Sequence, residues 1–182
     1  MRPLRRQRGF NIIEIFIAVV LLGLLLALGM PQYATYLANS QIRASAEGIV
    51  AGVQFARAEA VSRNVLGGVE FRVAGNDWSV VLPVTADRAA AETLRSQSGA
   101  ERMGNAVVAV TPSTATTLAF NGLGRLASPA SAVTINVSNP NGGSCMHVDS
   151  SASMRCLRIT VTQSGQVRMC DPMRPSGDPQ AC

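Results

Sequence analysis

The sequence contains no lysine, and all 16 of its basic residues are arginine. It has a single histidine, which excludes metal sites and acid–base pairs built from two histidines. Aromatic residues make up only 4% of the chain, too few for a surface that stacks nucleic-acid bases. Charged residues are also scarce, at 15%, whereas hydrophobic residues reach 47%, which excludes a disordered chain. At 182 residues, the chain has room for one domain and an attached element.

The formal net charge of +5 is concentrated at the start of the chain. Arg2, Arg5, Arg6 and Arg8 lie within the first nine residues, and residues 10–182 carry 12 basic against 11 acidic side chains. Without those nine residues the protein is close to neutral. Bulk charge therefore does not argue for a nucleic-acid partner.

An apolar run extends from Phe10 to Met30 and contains one charge, Glu14, and one other polar side chain, Asn11. As a helix, it spans about 30 Å, the hydrocarbon thickness of a bilayer. The arginines before it predict a cytoplasmic N-terminus and an exported C-terminal part. A conventional secretory signal fits less well, because the run is too long and no small-x-small cleavage site follows it.

Glu14 is the informative residue of this run. An unpaired carboxylate in an apolar span costs about 3 kcal/mol, so such a residue marks a function or a partner. The simpler alternative is a glutamate that reaches the lipid headgroups.

The segment Arg8-Gly9-Phe10-Asn11-Ile12-Ile13-Glu14, followed by the apolar run, resembles the class III signal of type IV pilins and type II secretion pseudopilins. The resemblance implies cleavage after Gly9 by a prepilin peptidase, N-methylation of Phe10, and a role for Glu14 in assembly through pairing with the Phe10 ammonium of a neighbouring subunit. It also implies other pilins or pseudopilins and an inner-membrane assembly platform as partners. Asn11 departs from the family, where threonine or serine is commoner.

The helix is predicted to continue past Pro31 with a bend. Beyond the bend, apolar residues recur at spacings of four and three, which places them on one helix face: Ile42, Ala46, Ile49, Val53, Ala56 and Ala60. This stripe predicts packing on a core, with Glu59 and Arg63 paired outside. The segment 56–64 resembles the end of the long helix in minor pilins of the FimT/GspH type, which implies a stop near Arg63-Asn64.

After a turn at Gly67-Gly68, the pattern becomes strand-like. Val69–Val73 and Trp78–Leu82 flank a Gly-Asn-Asp turn and predict a hairpin. Residues 84–104 are interpreted as an irregular crossing with at most a short helical turn. Further strands are predicted at Ala106–Val110, Thr116–Phe120, Val133–Val137, Arg155–Val161 and Gln166–Met169. The segment Phe120-Asn121-Gly122-Leu123-Gly124-Arg125 resembles the strand and glycine turn of the FimT/GspH globular domain.

Together these patterns predict an α+β, pilin-like fold: a long N-terminal helix packed on an antiparallel β-sheet domain. Residues 1–9 are expected to form a cleaved basic leader and residues 10–31 a transmembrane and filament-core helix. Residues 32–64 are expected to form the amphipathic half of that helix. Residues 65–182 are expected to form a periplasmic β-rich domain with a cysteine-rich C-terminal region.

Four cysteines lie in the last 38 residues: Cys145, Cys156, Cys170 and Cys182. Their spacings match no zinc pattern, and an exported domain lies where disulfides persist. Four cysteines allow three pairings. We favour Cys145–Cys156, closing a glycine-rich loop, and Cys170–Cys182, holding the proline-rich tail. His147 and Asp149 have no nucleophile motif near them, so the sequence predicts no enzyme, no metal site and no cofactor.

Four arginines near the C-terminus are candidates for DNA contact: Arg155, Arg158, Arg168 and Arg174. Some FimT-type pilins are DNA receptors that use a Gly-Arg-x-Arg element. The matching stretch here is Gly165-Gln166-Val167-Arg168, with glutamine in place of the first arginine. The alternative is a set of solvated arginines on a sheet edge.

The sequence therefore predicts a structural subunit of a type IV pilus or type II secretion pseudopilus. Before assembly, it would cross the inner membrane once, with a periplasmic C-terminal domain. Two alternatives stay open: a DNA-binding minor pilin for natural transformation, and a membrane-anchored periplasmic protein without a filament role.

Overall fold

The structure is a computed structural model that describes residues 11–99 and 104–182, without the side chain of Pro31. One helix, α1 (Ile12–Arg63), runs for 52 residues and passes through position 31 without interruption. It ends where Asn64 adopts the left-handed conformation (φ 43°) and donates its backbone N–H to Ala60 O at 3.0 Å. The predicted end of the helix is confirmed.

The C-terminal half of α1 packs on the domain through the predicted apolar stripe. All six residues of the stripe are at most 1% exposed, and Glu59 pairs with Arg63 outside at 2.6 Å. Gly52 lies on the same face against the rings of Phe71 and Trp78. Small residues in the stripe let the sheet approach the helix closely, as the alanine content predicts.

Nine strands follow within the described residues. They are β1 (Val69–Ala74), β2 (Asp77–Leu82), β3 (Glu92–Gln97), β4 (Val107–Thr111), β5 (Thr117–Phe120), β6 (Leu126–Ser128), β7 (Val133–Ser138), β8 (Leu157–Val161) and β9 (Val167–Cys170). A 3₁₀ turn at Pro140–Gly142 follows β7. The predicted hairpin is β1–β2, and the five later predicted strands are confirmed to within two residues at each end.

The strands form two antiparallel sheets rather than one. A five-stranded sheet has the order β3-β2-β1-β5-β6, and a four-stranded sheet has the order β4-β7-β8-β9. Both sheets contribute to one core with the stripe of α1, through residues such as Phe71, Phe120, Ile135 and Ile159. The predicted fold class, a long helix on antiparallel sheet structure, is confirmed.

The prediction of an irregular crossing at residues 84–104 is wrong at β3, which pairs with β2 at the sheet edge. Most of its side chains are exposed on both faces, so its sequence lacks the apolar alternation that marks a strand. The exposed Arg95 of this strand places its guanidinium 5.6 Å from the ring centroid of Phe55 and 5.9 Å from that of Trp78. The arginine thus lies against two aromatic side chains, one of them the buried Trp78 of the core.

The domain has two ends, which we name by the turns of α1 beside them. The near end lies beside residues 38–41, where Gln41 Oε1 accepts from Asn139 Nδ2 at 2.7 Å; it comprises the loop 139–156 and the tail 171–182. The far end lies beside residues 57–64, where Arg57 Nε donates to Gly124 O at 3.1 Å. The exposed half of α1 leaves the domain at the near end.

Candidate functional site

The N-terminal half of α1 has no packing partner in the described chain. Every large apolar side chain from Ile12 to Leu37 is at least 42% exposed, and these residues lie on all sides of the helix. The helix is long and apolar enough to cross a membrane. A helix that is apolar all round is stable only inside a bilayer or among other apolar helices.

Glu14 lies in the first turn of this half-helix, and its backbone N–H donates to Asn11 O at 3.0 Å. Its side chain is exposed and has no ion-pair partner among the described residues. The helix N-terminus favours a negative charge at this position. Gly9 and Phe10, predicted as the processing site, lie outside the described residues.

Two disulfides lie at the near end, in the pairing that the sequence favours. Cys145–Cys156 joins Cα atoms 5.5 Å apart and closes the loop that the Met146 N–H to Met154 O bond also spans. Cys170–Cys182 joins Cα atoms 5.0 Å apart and ties the tail to β9.

The tail is held by β9 as well as by its disulfide. Arg168 donates through Nη2 to Pro179 O at 3.0 Å and to Ala181 O at 2.8 Å. The Asp171 N–H donates to Gln180 O at 2.8 Å. Arg168 therefore serves the structure of the tail, and its donors on that nitrogen are already used.

The four C-terminal arginines do not form one basic surface. Arg158 and Arg168 lie on the face of the sheet opposite α1, because their neighbours Ile159 and Val161 alternate into the core. Arg158 donates to Asn136 Oδ1 at 2.9 Å.

The other two arginines lie at the near end. Arg155 is exposed there, and Arg174 pairs with Asp178 at 3.2 Å and with Asp171 at 3.9 Å. The four arginines were grouped because they are close in sequence, but the fold places two of them on the sheet face and two at the near end. The arrangement gives no support to the DNA-binding alternative.

A groove of about 510 Å³ runs between α1 and the C-terminal region at the near end. Tyr36 and Arg43 line it from the helix, and Arg155, Met169 and Arg174 line it from the domain. Arg43 is paired with Glu47 at 2.9 Å, as Arg174 is with its two aspartates. Local carboxylates thus balance most of the positive charge of the groove.

Asn39 is a positioning residue that the sequence reasoning missed. Its Oδ1 accepts the backbone N–H of Arg155 at 2.8 Å and so fixes the segment before β8 to the helix. The sequence did contain a signal for Asn39. It lies three residues before Ile42, so it is a polar residue on the helix face that carries the buried apolar stripe.

The loop that holds His147 does not form a catalytic arrangement. His147 is exposed, and hydrogen bonds from the Ser151 side chain and backbone lower the pKa of Asp149 below its usual value. Among residues 11–99 and 104–182, no three metal-ligating side chains cluster.

Comparison with known proteins places this architecture in context. Residues 45–165, about two thirds of the chain, match the protein family described as Type II transport protein GspH. Two crystal structures of the type IV minor pilin FimU of Pseudomonas aeruginosa have a similar fold, with TM-scores of 0.55 and 0.52 at 23% and 21% identity. The alignments cover 79% and 77% of this chain and 96% and 98% of those chains.

Curated relatives match over a shorter stretch. The type IV major fimbrial protein FimA of Dichelobacter nodosus is 47% identical over 36 residues, which is 20% of this chain and 23% of that protein. A fimbrial protein of Pseudomonas aeruginosa is 41% identical over 39 residues, 21% of this chain and 25% of its own length. The chain thus spans about a quarter of the length of the curated relatives that it matches.

Proposed function

The chain belongs to the GspH family. We propose that it is a subunit of a type IV pilus or type II secretion pseudopilus, processed after Gly9 and assembled through the exposed half of α1. The observation that carries the proposal is that the large apolar side chains of α1 between residues 12 and 37 are exposed rather than packed in the core of the described chain. Burying one large apolar side chain contributes about 1.5–3 kcal/mol, so residues 12–37 are stable only out of water. The bilayer meets this need before assembly, and a bundle of like helices meets it afterwards.

The transfer from lipid to filament needs an additional driving force, because lipid tails are as apolar as leucine. The helix offers two features that favour helix–helix contact over lipid. Gly23 and Gly29 have no atom within 4 Å of where a Cβ would lie, so a neighbouring helix has room to approach there. Glu14 supplies the second feature, a charge that needs a partner.

We assign Glu14 to pairing with the N-terminal ammonium of Phe10 on an adjacent subunit. An unpaired carboxylate is costly in a low-dielectric environment, and an ammonium at hydrogen-bond distance removes most of that cost. Cleavage after Gly9 would create this ammonium on Phe10, four residues before Glu14, so that the ammonium and the carboxylate lie about one helical turn apart along the helix axis. Processing and assembly are thereby coupled through one ion pair.

The same proposal assigns the membrane topology. The four leader arginines favour a cytoplasmic N-terminus, and the disulfides of the near end favour an oxidising compartment for the domain. Prepilin peptidase and an inner-membrane assembly platform are the partners that this route requires.

The test compares Glu14→Ala with Glu47→Ala in the full chain, expressed in cells that assemble the filament. Glu47 is a matched control because it lies on the same helix, beyond the apolar half, and pairs with Arg43 in solvent. We expect Glu14→Ala to insert in the membrane normally and to appear in sheared filaments at a tenth of the wild-type level or less. Glu47→Ala should incorporate normally.

N-terminal mass spectrometry of the mature protein completes the test. A methylated Phe10 terminus supports the proposal. A chain that retains Met1–Gly9 would favour a membrane-anchored protein without a filament role. Wild-type incorporation of Glu14→Ala would remove the role assigned to the carboxylate.

A further inference from the structure

The far end of the domain carries an exposed apolar surface that the assembly of helices does not use. Leu66 is 76% exposed, Leu123 79% and Val84 60%, and Val61 on the last turn of α1 is 50% exposed. We name these four residues the far-end patch. Exposed apolar groups that are concentrated on one surface mark interaction sites rather than ordinary surface.

The loops that carry the patch are in mutual contact. A Cβ at Gly124 would lie 3.0 Å from Val61 Cγ2, so the turn with Leu123 packs on the end of α1. A Cβ at Gly67 would lie 2.7 Å from Thr85 Cγ2, so the segment with Leu66 touches the segment with Val84. A Cβ at Gly122 would meet the Asn64 side chain, so the turn with Leu123 also touches the segment with Leu66, and the four apolar residues share one end of the domain.

The turn that presents Leu123 is built rigidly. Asn121 Oδ1 accepts the backbone N–H groups of Leu123 at 3.1 Å and Arg125 at 3.0 Å, and Gly124 N–H donates to Asn121 O at 2.8 Å. Gly165 packs directly on the Gly124 carbonyl. A leucine held outward by a fixed turn loses little conformational entropy when a partner covers it.

Basic side chains border the patch. The backbone N–H of Arg125 is fixed by Asn121, while its side chain is exposed and has no ion-pair partner among the described residues. Arg63 lies in the last turn of α1 and is paired with Glu59 at 2.6 Å. An apolar centre with an arginine border fits a partner surface that places carboxylates around an apolar side chain.

From this geometry we propose that the far-end patch docks the near end of the adjacent pilin-type subunit along the filament axis. The proposal rests on the filament role proposed above. The exposed half of α1 leaves the domain at the near end, and the patch lies at the opposite end of the same helix. In a polar array of such subunits, the far end of one faces the near end of the next.

The near end of this chain shows that a pilin-type near end is able to present an apolar side chain beside a carboxylate. Val148 is 77% exposed in the near-end loop and is followed by Asp149, an exposed carboxylate whose Oδ1 accepts hydrogen bonds from the Ser151 N–H at 2.9 Å and the Ser151 hydroxyl at 2.6 Å. An apolar side chain beside a carboxylate matches Leu123 beside Arg125. Contact between unlike ends is heterologous, so it extends a filament instead of closing a dimer.

The experiment places a photo-crosslinking phenylalanine analogue at position 123 of the full chain, in cells that assemble the filament. We expect an adduct whose crosslinked peptide, identified by mass spectrometry, comes from the near end of a pilin-type subunit. The matched control places the analogue at Ser96, which is exposed on the edge strand β3. It should not capture that peptide.

Charge variants in the same background separate docking from folding. Arg125→Glu should reduce the yield of the adduct at least fivefold, whereas Arg125→Lys should keep most of it. An adduct with a peptide from elsewhere, the absence of an adduct, or equal yields for both variants would overturn the inference. The N-terminal mass and the level in sheared filaments, measured in the same cells, test the filament role separately.

Discussion

Gly52 is the position where the packing of α1 on the sheet is most sharply testable. In a helix interior, glycine is about 1 kcal/mol less favourable than alanine, so propensity alone predicts that Gly52→Ala stabilises the protein. The structure predicts the opposite. A Cβ at Gly52 would lie 2.8 Å from Phe71 Cε2 and 2.9 Å from Trp78 Cζ3, both on rings that are buried in the core.

Overpacking of this kind costs about 1–3 kcal/mol, which exceeds the gain in propensity. With the middle of this range less a propensity gain of about 1 kcal/mol, we expect Gly52→Ala to lower the free energy of unfolding by about 1 kcal/mol. At a typical slope of about 2 kcal/mol/M, the urea midpoint should fall by about 0.5 M. Gly48→Ala is the matched control one turn earlier. Its Cβ would lie 3.3 Å from Gln97 Nε2, the end of a side chain that is able to rotate away, so propensity should dominate and the variant should be slightly stabilised.

The assay is urea unfolding of the full chain in detergent, followed by tryptophan fluorescence. Trp78 is the only tryptophan, is 3% exposed, and has its ring centroid 5.5 Å from that of Phe71, so its emission reports the helix–sheet interface directly. If Gly52→Ala matched or exceeded the stability of Gly48→Ala, the close packing of β1 and β2 on α1 would be refuted.

Two further predictions concern the near end. Replacing Cys170 and Cys182 together by serine should accelerate amide hydrogen exchange in the tail 171–182 by about 100-fold, because a disulfide that closes a loop of this size contributes about 3 kcal/mol of stability. Exchange in β1 and β2 should not change. Unchanged exchange in the tail would contradict the prediction. Ser151→Ala should raise the pKa of Asp149 toward its usual value, because it removes the side-chain hydrogen bond, the larger of the two Ser151 bonds that lower this pKa. Carboxyl NMR titration measures the change, and an unaltered titration curve would show that the side-chain bond does not form.

The sequence predicts the long helix best, because 3.6-residue periodicity over many turns is a strong signal. The stripe from Ile42 to Ala60 is buried as predicted, and the helix ends at Asn64, as the resemblance of segment 56–64 to FimT/GspH-type minor pilins implies. Strand pairing is harder to predict, because partners are distant in sequence. β4 follows the first sheet's β3 in the chain but pairs with β7 in the second sheet, which no local pattern indicates.

The strand β3 and the C-terminal arginines show two other reasons for error. β3 is an exposed edge strand, and its polar sequence lacks the alternation of apolar and polar residues that marks a strand. The side chain that lies over the Trp78 ring is the guanidinium of Arg95 and not an apolar group. Arg158 and Arg168 project from one face of the sheet, while Arg155 and Arg174 lie in segments beyond the strand ends. Counting charges along the chain does not show this division, because it depends on where each strand begins.

The position of the two disulfides has a mechanical consequence for a subunit anchored through its helix. Tension on the helix enters the domain at residues 38–41, through contacts with the loop 139–156 such as the Asn39 Oδ1 bond to the Arg155 N–H. Each covalent link closes a segment at this end of the domain, so neither the loop nor the tail is able to peel away strand by strand.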